Sequence, residues 1–213
     1  MVYAQGRSVE RYKHGFELLK QAAARGDLDA HEWLGAAYDY GLGIRPNRRR
    51  AFQHYLRAAG PRNPNAEYHV GIFFLDGIGI AKDERTAARW LRRAAIHGDP
   101  TALHVLGQCY RSGRGMPKNP KKGFVLELRA ARKKVLEAQY SLGVCYSRGE
   151  GTSVDPKRAF HWYLLAARRG HRNAAHNVAR FYETGRGVRK SEERAKFWYS
   201  RAKAASPNAG RPL

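Results

Sequence analysis

The tripeptide Gly41-x-Gly43 recurs as Gly77-x-Gly79, Gly113-x-Gly115, Gly149-x-Gly151 and Gly185-x-Gly187, always 36 residues apart. A signal that returns at a fixed period of roughly 20–50 residues marks a chain built from stacked supersecondary units, each burying its apolar face on its neighbours. Three positions before each glycine pair stands an aromatic residue: Tyr38, Phe74, Tyr110, Tyr146 and Tyr182. Three before that stands a small one: Gly35, Gly71, Gly107, Gly143 and Ala179. Alanine or glycine holds further columns, among them Ala30, Ala66, Ala102, Ala138 and Ala174.

Within one period Ala30, Leu34, Ala37 and Tyr38 share one face of a 3.6-residue helix, so the segment before each glycine pair is read as a helix, here called A. Glycine suits the left-handed position that closes a helix, and the second glycine lets the chain turn back. Asn47, Asp83, Asn119, Asp155 and Ser191 then share the column where an N-cap is needed, with Pro120 and Pro156 at the next position. They open helix B, whose apolar face reads Ala51-Phe52-Tyr55-Ala58-Ala59 in one period and Ala159-Phe160-Tyr163-Ala166-Ala167 in another. Phe16, Leu19, Ala22 and Ala23 match the B columns, which predicts a leading B helix over Val9 to Arg25. The expected organisation is a tail over 1–8, a repeat solenoid over 9–204 made of that helix and five A-B pairs, and a tail over 205–213.

The pattern A-x3-LG-x2-Y-x2-G-x-G-[VI]-x2-D-x2-[KR]-A-x2-[WY][YL]-x2-AA resembles the Sel1-like repeat, a relative of the tetratricopeptide repeat. Asp83 to Ala95 and Asp155 to Ala167 carry it most cleanly. Glu127 stands where helix B otherwise carries an aromatic or leucine, and Gly60-Pro61-Arg62-Asn63-Pro64 replaces the usual short step between helices. The resemblance implies an all-α, right-handed α/α superhelical solenoid of helix-turn-helix repeats and a scaffold that binds other proteins.

The Gly-x-Gly motif is not read as a phosphate cradle, because no strand precedes any copy. No pair among the nine histidines has the i, i+4 spacing of a helical metal site. Cys109 and Cys145 share a column beside the core aromatics and are expected as buried thiols. No serine or cysteine has a base at a recognisable spacing, so neither a catalytic residue nor a cofactor, metal or small-molecule substrate is inferred. The opening twenty residues lack an apolar core like that of a signal peptide, and no apolar run approaches the ~18 residues of a membrane span, which points to the cytoplasm; a leader removed beforehand would leave the same sequence.

In tetratricopeptide-type superhelices the A helices line the concave side, and the resemblance implies the same here. The helical wheel sets Glu32, Tyr68, His104, Tyr140 and His176 opposite the core, flanked by Ile72, Gln108, Val144 and Arg180 and by Leu75 and Arg111. These residues are the expected partner-binding set. Two readings of the column stay open: a groove that grips a peptide, or side chains that lean onto neighbouring repeats.

Forty Lys and Arg against eighteen Asp and Glu give a formal charge of +22. Of the A segments only Arg111, Arg148 and Arg180 contribute to it, so the basic runs belong to B helices and loops. The resemblance implies roles such as a bacterial regulatory adaptor or an immunity protein that blocks a cognate toxin, and the positive charge favours an acidic partner for either; nucleic acid held on the basic outer face is the alternative.

Overall fold

The structure is a computed structural model that describes residues 2–204. Among the described residues all regular elements are helices: α1 (Val2–Ala24), α2 (Leu28–Tyr40), α3 (Arg48–Ala58), α4 (Pro64–Asp76), α5 (Glu84–Ile96), α6 (Pro100–Ser112), α7 (Pro120–Arg132), α8 (Leu136–Arg148), α9 (Pro156–Arg168), α10 (Arg172–Thr184) and α11 (Glu192–Ala204). The even-numbered helices are the A helices and the odd-numbered ones the B helices. α1 starts at Val2 rather than Val9, so the expected tail over 1–8 is helical from its second residue. The tail expected over 205–213 lies outside the described residues. The chain divides into two compact units, Met1–Ala102 and Leu103–Leu213, which are described in turn.

The turn between A and B is built alike in every copy. In the first unit Gly41 and Gly77 adopt φ of 74° and 71°, and their N–H groups donate to the Ala37 and Phe73 carbonyls at 2.9 Å each. The next glycine is also left-handed, and its bare Cα lies against the preceding B helix: a Cβ on Gly79 would stand 2.8 Å from Arg48 Cβ and 2.9 Å from the Arg49 nitrogen. The turn ends where the B-helix cap donates its backbone N–H to the carbonyl of the A-helix ring residue, Asn47 to Tyr38 and Asp83 to Phe74. The cap side chain then accepts from the first turn, as Asn47 does from the Arg50 N–H at 3.0 Å. The second unit repeats this with Asn119 on Tyr110, Asp155 on Tyr146 and Ser191 on Tyr182.

Two side-chain contacts hold the helices together. Within a repeat the small residue of A receives a B side chain. Gly35 faces the Tyr55 ring, Gly71 faces Leu91, and Gly143 faces the Tyr163 ring, so closely that a Cβ on Gly35 would lie 2.8 Å from Tyr55 Cδ1. Between repeats, a B-helix phenylalanine meets the next A-helix ring edge to face. In the first unit these pairs are Phe16–Tyr38 and Phe52–Phe74, both with centroids at 5.3 Å; in the second they are Phe124–Tyr146 at 5.3 Å and Phe160–Tyr182 at 5.2 Å. A cation from the first turn of the same repeat's B helix covers several of these rings: Arg50 over Tyr38, Arg158 over Tyr146 and Arg194 over Tyr182, at 5.5–5.7 Å. Part of the positive charge is therefore taken up by packing.

The same substitution should act with opposite sign at two glycines. Gly15, in the middle of α1, has nothing within 4 Å of the place a Cβ would occupy, so Gly15→Ala should gain up to about 1 kcal/mol from helix propensity. Gly143→Ala, pressed into the Tyr163 ring, should lose about 1–3 kcal/mol from overpacking. Urea unfolding of the two variants beside the parent checks both.

Candidate functional site

Each A helix leaves one stripe out of the core. In the first unit it runs through Asp29, Glu32, Trp33, Ala36 and Tyr40 of α2, and through Asn65, Tyr68, His69, Ile72 and Asp76 of α4. Trp33 and Tyr40 are its most open large side chains, 61% and 53% exposed. The stripe is turned toward Trp33 and Tyr40 relative to the expected column, because positions 39 and 75 face inward: Asp39 is buried and paired with Arg48, and Leu75 is buried. Sequence reasoning missed Trp33 and Tyr40. The spacing of Asp29, Trp33, Ala36 and Tyr40 at i, i+4, i+7 and i+11 was a usable signal, but it competed with an overlapping face.

Glu32 joins the two helices, accepting from Asn63 Nδ2 and Asn65 Nδ2 at 2.6 Å each. Tyr68 is half-buried and its hydroxyl is pushed up to about 12, by burial first and then by the nearby Asp99, Tyr40 and Asp76. Beneath the stripe Tyr55 stacks on His69 with centroids at 4.4 Å, and the almost fully buried Tyr55 hydroxyl has no hydrogen-bond partner. His31 and His54 bring their Nδ1 atoms within 2.9 Å. Burial drives His54 down to about 4, aided by His31, Arg57 and Arg50, and drives His69 to about 4 against the opposing charge of Glu32.

In the second unit the expected column splits. Gln108, His176 and Arg180 are exposed, and Val144 is half-buried. Tyr140 leans sideways and stacks on His171 at 4.4 Å and 18°. His104 and Arg111 do not face outward as expected. His104 is buried, with Nδ1 2.6 Å from Glu127 Oε2, and Arg111 lies 3.4 Å from Glu127 Oε1 and 3.1 Å from Glu150. Position 111 faces inward as 39 and 75 do, and Glu127, fully buried opposite it, gives Arg111 a charge partner there and draws the His104 imidazole into a hydrogen bond. Burial raises the Glu127 carboxyl, and the bond from His104 opposes that rise. The first unit has a similar buried carboxylate, Glu67, held by Arg93 at 2.9 Å and His97 at 2.6 Å.

Cys109 and Cys145 are buried, and burial pushes the Cys145 thiol up to about 11. Among the described residues no three His, Cys, Asp or Glu side chains gather as a metal site would require. No described helix is long and apolar enough to cross a membrane.

The family model for the Sel1 repeat matches residues 1–27, 28–59, 64–99, 100–135, 136–171 and 172–206. The chain belongs to the Sel1 repeat family, and its fold is the all-helical Sel1 solenoid. The first match takes in α1, so the leading helix belongs to a sixth repeat. A Sel1 repeat protein from Oxalobacter formigenes is similar at 32% identity and a TM-score of 0.82, over 89% of this chain and 76% of that one. The protective antigen c5321 of uropathogenic Escherichia coli gives 29% identity and a TM-score of 0.82, over 89% of this chain and 40% of that one. The immunity protein Pa5087 of Pseudomonas aeruginosa gives 21% identity and a TM-score of 0.60, over 95% of this chain and 77% of that one. Comparison with curated proteins gives no match.

Two measurements follow from the buried groups. Glu127→Leu alone strands His104 and Arg111 and should cost about 3–5 kcal/mol. His104→Tyr, Arg111→Leu and Glu127→Leu together install the residues that α4 and α5 carry as Tyr68, Leu75 and Leu91, and should recover most of the loss, as apolar replacements of buried ion pairs do. Denaturant midpoints of the single and triple variants check this. Second, His54 and His69 hold pKa values of about 4 when folded against an ordinary 6.5. The unfolded chain then binds more protons between those values, so their contribution is intact above 6.5 and is lost as pH falls toward 4. Melting temperature should drop from about pH 7 to about pH 5, and His69→Phe, which keeps the stacking on Tyr55, should make that drop smaller.

Proposed function

We propose that the chain is a non-enzymatic scaffold that binds another protein through the open stripes of its A helices. The observation that carries this reading is the exposure of Trp33 and Tyr40, 61% and 53%, on one stripe of a helix whose other faces are packed. Trp and Tyr are the side chains most concentrated where partners bind, since each offers a large rigid contact with little entropy to lose. Glu32, Tyr68 and Ile72 extend the surface across α4, and Gln108, Tyr140, Val144, His176 and Arg180 form its counterpart on the second unit. The turn inward of Leu75, His104 and Arg111 removes them from the proposed contact set.

The Pseudomonas relatives described as immunity proteins make a toxin-neutralising role one form this scaffold could take, alongside a regulatory adaptor. The net charge of +22 resides mainly on B helices and loops, where it would steer an acidic region of a partner and set the association rate more than the lifetime of the complex. Nucleic acid on the B helices is the weaker reading, because Arg50, Arg158 and Arg194 are engaged over rings of their own repeats.

The test is affinity capture from the source cells with the parent chain and with Trp33→Ala/Tyr40→Ala, followed by measurement of the captured partner's affinity. The double variant should melt like the parent and lose about 2 kcal/mol or more of binding, the size expected of aromatic hot spots. A partner held equally well by both proteins removes the proposal.

A further inference from the structure

Where helix B passes into the next helix A, the two units carry different charge. In the first unit Asp27 and Asp99 accept from helix first turns, and the buried Glu67 holds Arg93 and His97. In the second unit the same columns of the repeat carry Val135, His171 and Gln139. Arg169, in the column of His97, donates to Gln139 Oε1 at 3.1 Å and to the Lys134 carbonyl at 2.6 Å, which ties the turn after α7 to the turn after α9. Glu137, beside these turns, is engaged by His171 at 3.1 Å. From Pro156 to Tyr182 the chain has no aspartate or glutamate at all. Arg132, Lys133, Lys134, Arg168 and Arg172 are exposed around the two turns, and among the described residues no carboxylate pairs with any of them.

Two of these five cations occupy positions that local structure disfavours. Lys134 has a φ of 64°, in the column where Gly26, Gly98 and Gly170 stand, and an L side chain adopts that conformation only at a cost. Arg172 opens α10, where a positive charge opposes the helix dipole. Local stability therefore does not account for them. Guanidinium and ammonium groups with free N–H donors match carboxylates, the guanidinium through two parallel bonds. The two turns belong to neighbouring repeats, so the cations spread over about 10 Å, the spacing of packed helices, which a few residues of extended chain can span. His171 is buried and Tyr140 is stacked on it at 4.4 Å, so neither is an open platform for a nucleic-acid base.

We infer that this corner of the second unit docks an extended acidic segment of a partner protein, its aspartate and glutamate carboxylates seated on Arg132, Lys133, Lys134, Arg168 and Arg172. This rests on the protein-binding reading and gives the partner a second contact, of a chemistry different from that of Trp33 and Tyr40. Here charge holds the partner, whereas elsewhere on the basic surface it steers.

The test is a display library of short random linear peptides, panned on the full-length protein in about 0.15 M salt and counter-selected on Lys133→Gln/Lys134→Gly/Arg168→Gln. Peptides kept by the parent and lost by this variant should be rich in aspartate and glutamate and bind the variant about tenfold more weakly. Arg45→Gln/Arg49→Gln/Lys121→Gln removes as much charge elsewhere and should hold them within about twofold of the parent. Lys134→Gly restores the residue of the other junctions, so the first variant should melt no lower than the parent. If it does melt lower, Arg132→Gln/Arg172→Gln, which alters neither turn's backbone, reads the same outcomes. Equal loss in both triple variants would assign binding to overall charge and overturn the inference. Selected peptides that are neutral or basic would overturn it too, as would a library with no peptide that tells the parent from the corner variant. A single-stranded oligonucleotide with as many charges as the best peptide is the remaining probe: if it binds the parent more tightly than the peptide and loses affinity for the corner variant, the occupant is nucleic acid and the inference falls. The protein-binding reading stands or falls separately, on the partner captured from cells and its response to Trp33→Ala/Tyr40→Ala.

Discussion

A small residue on helix A, glycine in α2, α4, α6 and α8 and alanine in α10, admits a side chain from the helix B of the same repeat and sets the distance at which the two pack. Without a Cβ at Gly35, Gly71 or Gly143, the opposing Tyr55, Leu91 or Tyr163 reaches the A-helix backbone itself. Beside this contact the B-helix cap donates its N–H to the carbonyl of the A-helix ring residue, closing a short turn whose left-handed positions are held by glycine. Packing and turn chemistry support one another in every repeat.

Because the helices are so close, the residue on A that faces the B side chain must match it in kind. The matched positions are Leu75 with Leu91, both apolar and buried; Arg111 with Glu127, an ion pair; Ser147 with Tyr163, hydrogen-bonded; and Glu183 with Tyr199, whose hydroxyl donates across 2.9 Å. One geometric slot is filled by apolar contact, by charge and by neutral polar bonds. What the slot requires is that nothing polar be left without a partner. The Tyr55 hydroxyl and Arg111 Nε are exceptions, each without a hydrogen-bond partner, and Tyr55 lies under the stripe with the most exposed aromatics.

Charge is partitioned by the same architecture. The A helices contribute little positive charge because most of their surface is packed, whereas B helices and loops carry the basic runs, some of them anchored over rings. The first unit's A stripe is acidic and aromatic; in the second unit Arg180 and His176 are exposed on α10 instead. The solenoid provides repeated positions, and single residues at those positions decide what each stripe can recognise.

The period, the helix pairs, the caps and the glycine turns were legible in the sequence because each depends on residues near one another in the chain, and the pattern is stated five times over. The direction of the partner-binding stripe was not. A wheel separates faces only to about one residue, and it took the tertiary packing of α2 on α3 to bury Asp39 and expose Trp33 and Tyr40. The fate of His104 lay beyond the local pattern as well, since it depends on Glu127 in another helix: a carboxylate buried there needs hydrogen-bond and charge partners, which the His104 imidazole and the inward-facing Arg111 supply. Local chemistry, repeated, determined the fold by itself; which polar side chains face outward was decided only when helices distant in sequence came into contact, because the cost of leaving a charge buried and unpaired exceeds any preference a helix has on its own.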